Sequence, residues 1–215
     1  MNHEISGLYA VTPDGDDTPA LIAAVEAALA GGARLLQYRN KPAPAALRLS
    51  QASALLVLCR RYRVPLIIND DLDLALAMSA DGLHLGAEDG SLAAARARLG
   101  TAKILGASCY DRLEAALEAA RLGADYVAFG SFFPSSVKPG AVRAPLTLLR
   151  DAKRRLSMPV VAIGGITLEN APQLIAAGAD GVAVISALFG ADDVELAARR
   201  FSALFAAREL ATRHS

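Results

Sequence analysis

The 215 residues include no tryptophan, and aromatic residues make up only 5% of the chain. A surface that stacks bases or sugar rings needs such side chains, so their scarcity argues against one. Cysteine is limited to Cys59 and Cys109, too few for a disulfide framework, which points to a reducing compartment. Charge of one sign is also missing: 22 basic residues balance 22 acidic ones. That removes the field that would draw the protein to nucleic acid or to an anionic membrane. The apolar runs are short, and none reaches the roughly 18 residues of a membrane span. Met1-Asn2-His3-Glu4-Ile5-Ser6 has no basic patch followed by an apolar core, so it does not read as a secretory signal. Together these absences predict a cytoplasmic protein whose partners are small molecules, with no nucleic acid and no membrane. A homo-oligomer is left open.

What is present is 53% hydrophobic sequence in which β-rich runs alternate with Ala/Leu/Arg-rich amphipathic ones. The expected strands are Gly7–Thr12, Leu35–Asn40, Pro65–Asn69, Gly82–Gly86, Ile104–Ser108, Tyr126–Gly130, Pro159–Gly164 and Gly181–Ser186. Expected helices include Thr18–Ala30, Ala43–Arg61, Asp73–Ser79, Leu113–Leu122, Pro145–Leu156 and Glu195–Phe205, several ending in glycine as a left-handed cap demands. Fully apolar strands are buried on both faces, as in a parallel sheet. Eight strand–helix units fit one closed (β/α)8 TIM barrel over residues 1–215, with a frayed tail from about residue 210. A doubly wound open sheet is the rival, but Thr12-Pro13-Asp14-Gly15-Asp16 after the first strand carries no glycine-rich phosphate turn.

Ligands of such a barrel bind at the carboxyl ends of its strands. Strand alternation puts Gln37, Arg39 and, if the strand continues, Lys41 on one face. Guanidinium and ammonium groups there suit a phosphate. Asn69, Asp70 and Asp71 end the third strand, and Asp89 follows the fourth. Carboxylates on adjacent loops can hold Mg2+ while leaving positions for substrate oxygens. Asp71 or Asp73 equally suits the N-cap of the next helix, and Asp89 that of the helix beginning near Ser91. The segment Gly130–Gly140, which contains Lys138, reads as a long rim loop suited to a lid. Gly164-Gly165 and Ile185-Ser186, after the seventh and eighth strands, fit a phosphate site, although tight packing also explains a double glycine. His84, inside a strand, is at least as well explained as a hydrogen-bonded core residue as a catalytic one, and Cys109 as a small filler. Charge clamps are present without an evident general base.

In order along the chain, Gln37-Tyr38-Arg39-Asn40-Lys41, Ile68-Asn69-Asp70, Asp81–Gly86, Ala124-Asp125-Tyr126, Phe133–Lys138, Val161–Ile166 and Gly181–Ser186 resemble the thiamine phosphate synthase family over nearly the whole length. The resemblance implies a Mg2+-dependent transferase. Its two substrates are 4-amino-2-methyl-5-hydroxymethylpyrimidine diphosphate and a thiazole phosphate, and diphosphate is released. It further implies that Arg39, Lys41, Asn69 and Lys138 hold the diphosphate and that Asp70 and Asp89 bind Mg2+. Gln37 and Ser108 would meet the pyrimidine; Ser135, Gly165, Ile185 and Ser186 would meet the thiazole phosphate. Val137 and Ala87 depart from the usual pattern, where threonine and a more polar residue stand. Two alternatives are a thiazole tautomerase-like paralogue, which needs a histidine near the Ser108-Cys109 tip, and a non-catalytic phosphate-binding barrel.

Overall fold

The computed structural model describes residues 5–134 and 142–213, with side chains as far as residue 206. Its eight strands are β1 (Gly7–Val11), β2 (Leu35–Tyr38), β3 (Leu66–Asn69), β4 (Gly82–Leu85), β5 (Ile104–Tyr110), β6 (Tyr126–Phe129), β7 (Val160–Ile163) and β8 (Gly181–Val184). Each pairs in parallel with the next, and β8 returns to β1 to close the barrel. The outer ring is α1 (Thr18–Ala30), α2 (Ala45–Tyr62), α3 (Leu72–Ala77), α4 (Leu92–Leu99), α5 (Leu113–Arg121), α6 (Leu146–Arg155), α7 (Ala171–Ala176), α8 (Ser186–Phe189) and α9 (Val194–Arg213). The closed parallel barrel predicted from the alternating pattern is the observed one. Among the described residues no helix is long and apolar enough to cross a membrane.

Alternation along the strands sorts side chains into two layers. Tyr9, Leu35, Ile67, Ile104, Tyr126 and Val161 point inward and fill the barrel, while Leu8, Leu36, Ile68, Leu83 and Val127 point outward and pack under the helices. The floor is tied by a recurring device. Asp81, Asp125 and Asp180 stand just before β4, β6 and β8, and each carboxylate accepts the N–H of Leu66, Leu105 or Val160 at 2.9, 2.7 and 2.8 Å. The backbone N–H of each aspartate donates back to the carbonyl of that same residue. At the equivalent place before β2 stands Arg34, whose N–H keeps the backbone bond to Leu8 at 2.9 Å. Stability is thus concentrated at the amino ends of the strands, which leaves the carboxyl ends free for chemistry.

The ends of elements differ from expectation in instructive ways. β2 stops at Tyr38, two residues early, because the Thr12 hydroxyl takes over the ladder. It donates to the Arg39 carbonyl and accepts the Arg39 N–H, both at 2.8 Å. β5 runs two residues further than expected, to Tyr110, through a register shift against β6. β8 ends at Val184, so Ile185 and Ser186 fall in a turn that opens α8, a four-residue helix too short to show periodicity. Asp71 caps α3 by accepting from Leu74 N–H at 2.9 Å. Asp89 does not cap α4; Ser91 does, and Asp89 folds back to accept the Gly86 N–H at 3.0 Å. A hydroxyl two residues closer to the helix leaves the carboxylate at the strand tip.

Candidate active site

At the carboxyl ends of the strands lies a cavity of about 430 Å3. Gln37, Arg39, Lys41, Asn69, Asp70, Asp89, Ser108, Gly165, Ile185 and Ser186 all line it. Ser135 and Lys138 lie outside the described residues, as does Val137. The described site residues come from six strand tips far apart in sequence, and barrel closure alone brings them together.

The second strand tip supplies cations held in readiness. Arg39, threaded past β2 by the Thr12 hydroxyl, places Nη1 at 2.9 Å from both Asp14 carboxylate oxygens. Asp14 also accepts the Lys41 N–H at 3.0 Å, so one carboxylate organises both residues. Lys41, although beyond the strand, reaches across to Asp70 with Nζ 2.8 Å from Oδ2. That hydrogen bond raises the Lys41 ammonium above its ordinary value. Asp14 escapes a sequence reading that asks of this loop only whether it is a glycine-rich phosphate turn. A carboxylate two residues after a strand, opposite an Arg-x-Lys tip, was the available signal.

Asp70 and Asp89 face each other. Burial opposes ionisation of Asp70, but the hydrogen bond from Lys41 and further polar contacts outweigh it and hold this carboxyl below its usual value. Asp89 moves the opposite way, raised by burial and then by the neighbouring Asp70. Two carboxylates that compete for charge in this manner, beside one ammonium among the described residues, have the donor chemistry of a hard divalent cation site. Among the described residues no cluster of three or more His, Cys, Asp or Glu side chains is present. Two carboxylates, with the remaining positions for water and phosphate oxygens, is the donor set typical of Mg2+. The residues fit the ion. Asp70 and Tyr110 sit at this mouth with φ of 63° and 53°, left-handed backbone that non-glycine residues adopt at a cost of about 1–3 kcal/mol. The Asp70 turn is fixed by its N–H bonding the His84 carbonyl at 2.9 Å.

Below the mouth, a buried polar row crosses the barrel. Gln37 Nε2 lies 2.9 Å from the Tyr9 hydroxyl, which is 2.7 Å from that of Tyr126. Tyr126 meets His84 Nδ1 at 2.8 Å, and His84 Nε2 meets Ser108 Oγ at 2.8 Å. Burial raises both phenols well above their ordinary range and pushes the His84 imidazole down to about 4. His84, with both nitrogens occupied, is a core histidine with polar partners. Cys109 is buried in the layer under the helices, with its thiol pushed up to about 12 by burial, and acts as a filler. Tyr9 and Tyr126 were not singled out from sequence; each is a phenol at an inward strand position, whose hydroxyl must find a partner inside the barrel.

The sign of the His84 effect on stability is fixed. The folded ring stays neutral down to about 4, whereas the unfolded ring takes up a proton near 6.5. The contribution is therefore full above 6.5 and lost progressively as pH falls toward 4, by about 2 kcal/mol between pH 7 and pH 5. Urea denaturation at those two pH values should show this loss in the parent chain and a flatter dependence in His84→Gln. A parent stability that does not fall would contradict the buried neutral ring.

Across the cavity, the double glycine is explained by packing. A Cβ on Gly164 would lie 2.0 Å from Ser131 Oγ, and one on Gly165 would lie 2.2 Å from the Pro134 carbonyl. Both have positive φ, 100° and 64°. Asn170 steadies the tip, donating to the Gly165 carbonyl and accepting from Thr167 N–H, both at 2.9 Å.

A closed parallel barrel with two cations and two carboxylates at its mouth, opposite a glycine tip, is a (β/α)8 barrel of the enzyme type. The profile of the thiamine monophosphate synthase family matches residues 8–188, and the chain belongs to this family. It is 60% identical over 201 residues to the thiamine-phosphate synthase of Methylobacillus flagellatus, covering 94% of this chain and 96% of that one. It is 58% identical to that of an Azoarcus species, covering 96% of this chain and 100% of the relative. The thiamine phosphate pyrophosphorylase of Pyrococcus furiosus superimposes with a TM-score of 0.84 at 36% identity, over 95% of this chain and 98% of that one.

Proposed function

We infer that this chain is a transferase that joins 4-amino-2-methyl-5-hydroxymethylpyrimidine diphosphate to 4-methyl-5-(2-phosphoethyl)thiazole, giving thiamine phosphate and diphosphate. The observation that carries this reading is the gathering of Arg39, Lys41, Asp70 and Asp89 at one cavity mouth. Relatives that share more than half of the sequence over nearly its full length bear the same activity in their names.

The chemistry asked of these residues is charge management. The bond from the pyrimidine methylene carbon to the bridging oxygen breaks, and both electrons leave with the diphosphate. The thiazole nitrogen lone pair then forms the new carbon–nitrogen bond. No proton needs removing from the attacking nitrogen, which agrees with a site whose described histidine is locked into the core. Arg39 and Lys41, with Asn69 and Lys138, hold the departing oxygens. Both described cations already face a carboxylate, so diphosphate binds by sharing them rather than by reorganising them. Asp70 and Asp89 are the residues that would hold Mg2+, which when bound supplies further positive charge for the leaving group. Gln37 and Ser108 orient the pyrimidine. The Gly165 tip, Ile185 and Ser186, with Ser135, receive the thiazole phosphate. Ser186 is the first residue of α8, so its backbone N–H has no partner within the helix and suits a phosphate. Alignment of the two rings in one cavity supplies the proximity term.

The tautomerase-like alternative needs an acid–base histidine near the fifth strand tip, where Ser108 and buried Cys109 stand. Incubation of the pure protein with both substrates and Mg2+ should yield thiamine phosphate, detected after oxidation to its fluorescent product. A folded protein that forms none would reject the coupling reading.

A further inference from the structure

The buried row beneath the cavity takes no part in breaking or forming the bonds of the coupling, yet a donation from Gln37 at one end leaves one arrangement that satisfies every hydrogen along it. Gln37 Nε2 donates to the Tyr9 hydroxyl. Having accepted there, Tyr9 turns its own hydrogen to Tyr126 Oη at 2.7 Å. The Tyr126 hydrogen then meets His84 Nδ1 at 2.8 Å. A neutral imidazole that accepts at Nδ1 carries its hydrogen on Nε2, and that nitrogen is 2.8 Å from Ser108 Oγ. Ser108 is left with its own hydrogen for the cavity, and Gln37 is left with its carbonyl Oε1. Tyr9, Gln37, His84 and Tyr126 are all buried, so an unmade bond within the row carries a full desolvation penalty. The two ends of the row, which line the cavity together with Tyr9 and His84 between them, therefore have opposite polarity: an acceptor at Gln37 and a donor at Ser108.

We propose that Tyr9, Tyr126 and His84 are positioning residues that lock Gln37 as an acceptor and Ser108 as a donor, so that the cavity selects a heteroaromatic ring bearing an amino donor beside a ring-nitrogen acceptor. This rests on the function inferred above, in which Gln37 and Ser108 meet the pyrimidine, and it adds what sets their polarity. A 4-aminopyrimidine edge offers an N–H to Gln37 Oε1 and a ring nitrogen to the Ser108 hydroxyl. A ring with hydrogen in place of the amino group leaves Oε1 without a partner.

Tyr126→Phe keeps the ring that fills the barrel and removes only the oxygen at the centre of the row. Calorimetric binding of three ligands to the parent chain and to this variant tests the proposal: the pyrimidine diphosphate, its deamino analogue and the thiazole phosphate. Binding is compared rather than turnover because the amino group also carries charge during the reaction. The parent should favour the amino ring by about 10- to 100-fold, the range for an unmade buried hydrogen bond. In Tyr126→Phe the preference should shrink to within about threefold, with thiazole phosphate affinity unchanged. A folding defect would instead weaken all three ligands. His84→Gln serves as the second variant if Tyr126→Phe does not fold, with the same expected result. A folded variant that keeps the full preference, or a parent that binds both pyrimidines equally, would overturn the relay while leaving the coupling reading intact. A parent that binds neither pyrimidine diphosphate overturns both.

Discussion

Asp70→Asn should lower kcat by about a hundredfold or more while leaving the KM for thiazole phosphate near that of the parent. Removing one of two facing carboxylates halves the anionic donor set that fits the divalent ion, and charge stabilisation of a leaving group is worth several kcal/mol of barrier. The same change leaves Lys41 Nζ, 2.8 Å from this carboxylate in the parent, facing a neutral amide whose oxygen can still accept its hydrogen bond. The expected pattern is a kcat loss partly recovered by raising Mg2+, with no rescue by raising thiazole phosphate. Thiazole phosphate is assigned to the Gly165, Ile185 and Ser186 side of the cavity, away from the carboxylates. Steady-state kinetics over a range of Mg2+ concentrations checks this. Indifference of Asp70→Asn to metal would remove Asp70 as a ligand.

Gly106→Ala should be the most damaging single-methyl addition inside the barrel. A Cβ at this position would lie 2.1 Å from Tyr126 Cζ and 2.3 Å from its hydroxyl oxygen. Tyr126 has nowhere to retreat. It is fully buried, meets Tyr9 edge-on at 5.9 Å between ring centroids and stacks on His84 at 5.5 Å. Overpacking of this kind costs about 3 kcal/mol or more, because the ring must move and the hydrogen bonds of the polar row go with it. Gly15→Ala is the matched control, since its added methyl meets nothing within 4 Å. Chemical denaturation should separate the two by about 3 kcal/mol, and a double variant Gly106→Ala/Tyr126→Leu should recover part of the loss. Equal stability of the two single variants would mean that Gly106 is not what admits the tyrosine.

The fold was legible because its signal is repeated. Eight apolar runs, each followed by an amphipathic segment, leave little choice but a closed parallel barrel, and errors at individual ends do not accumulate. The ends themselves were less legible, because side chains decided them: the Thr12 hydroxyl extended the β2 ladder, and Ser91 rather than Asp89 took the cap of α4. At the site, charged residues at strand tips could be read directly, since Arg39, Lys41, Asp70 and Asp89 have no core explanation in that setting. The partners that hold them could not. Asp14 is a loop carboxylate like many others until β1 and β2 lie side by side. Tyr9, His84 and Tyr126 are separated by as many as 117 residues, and only the barrel interior makes them one row. The double glycine allows two explanations in the sequence, a phosphate approach and tight packing, and the crowding by Ser131 and Pro134 shows the second at work.

In the proposed coupling, one mouth of the barrel carries both the cations and the carboxylates that would receive a departing diphosphate. Isothermal titration of diphosphate into the parent chain, with and without Mg2+, tests this most directly. The proposed coupling requires binding that strengthens markedly with Mg2+ and that Arg39→Ala and Asp70→Asn each weaken. Binding of equal strength with and without the metal, unaffected by either substitution, would contradict it.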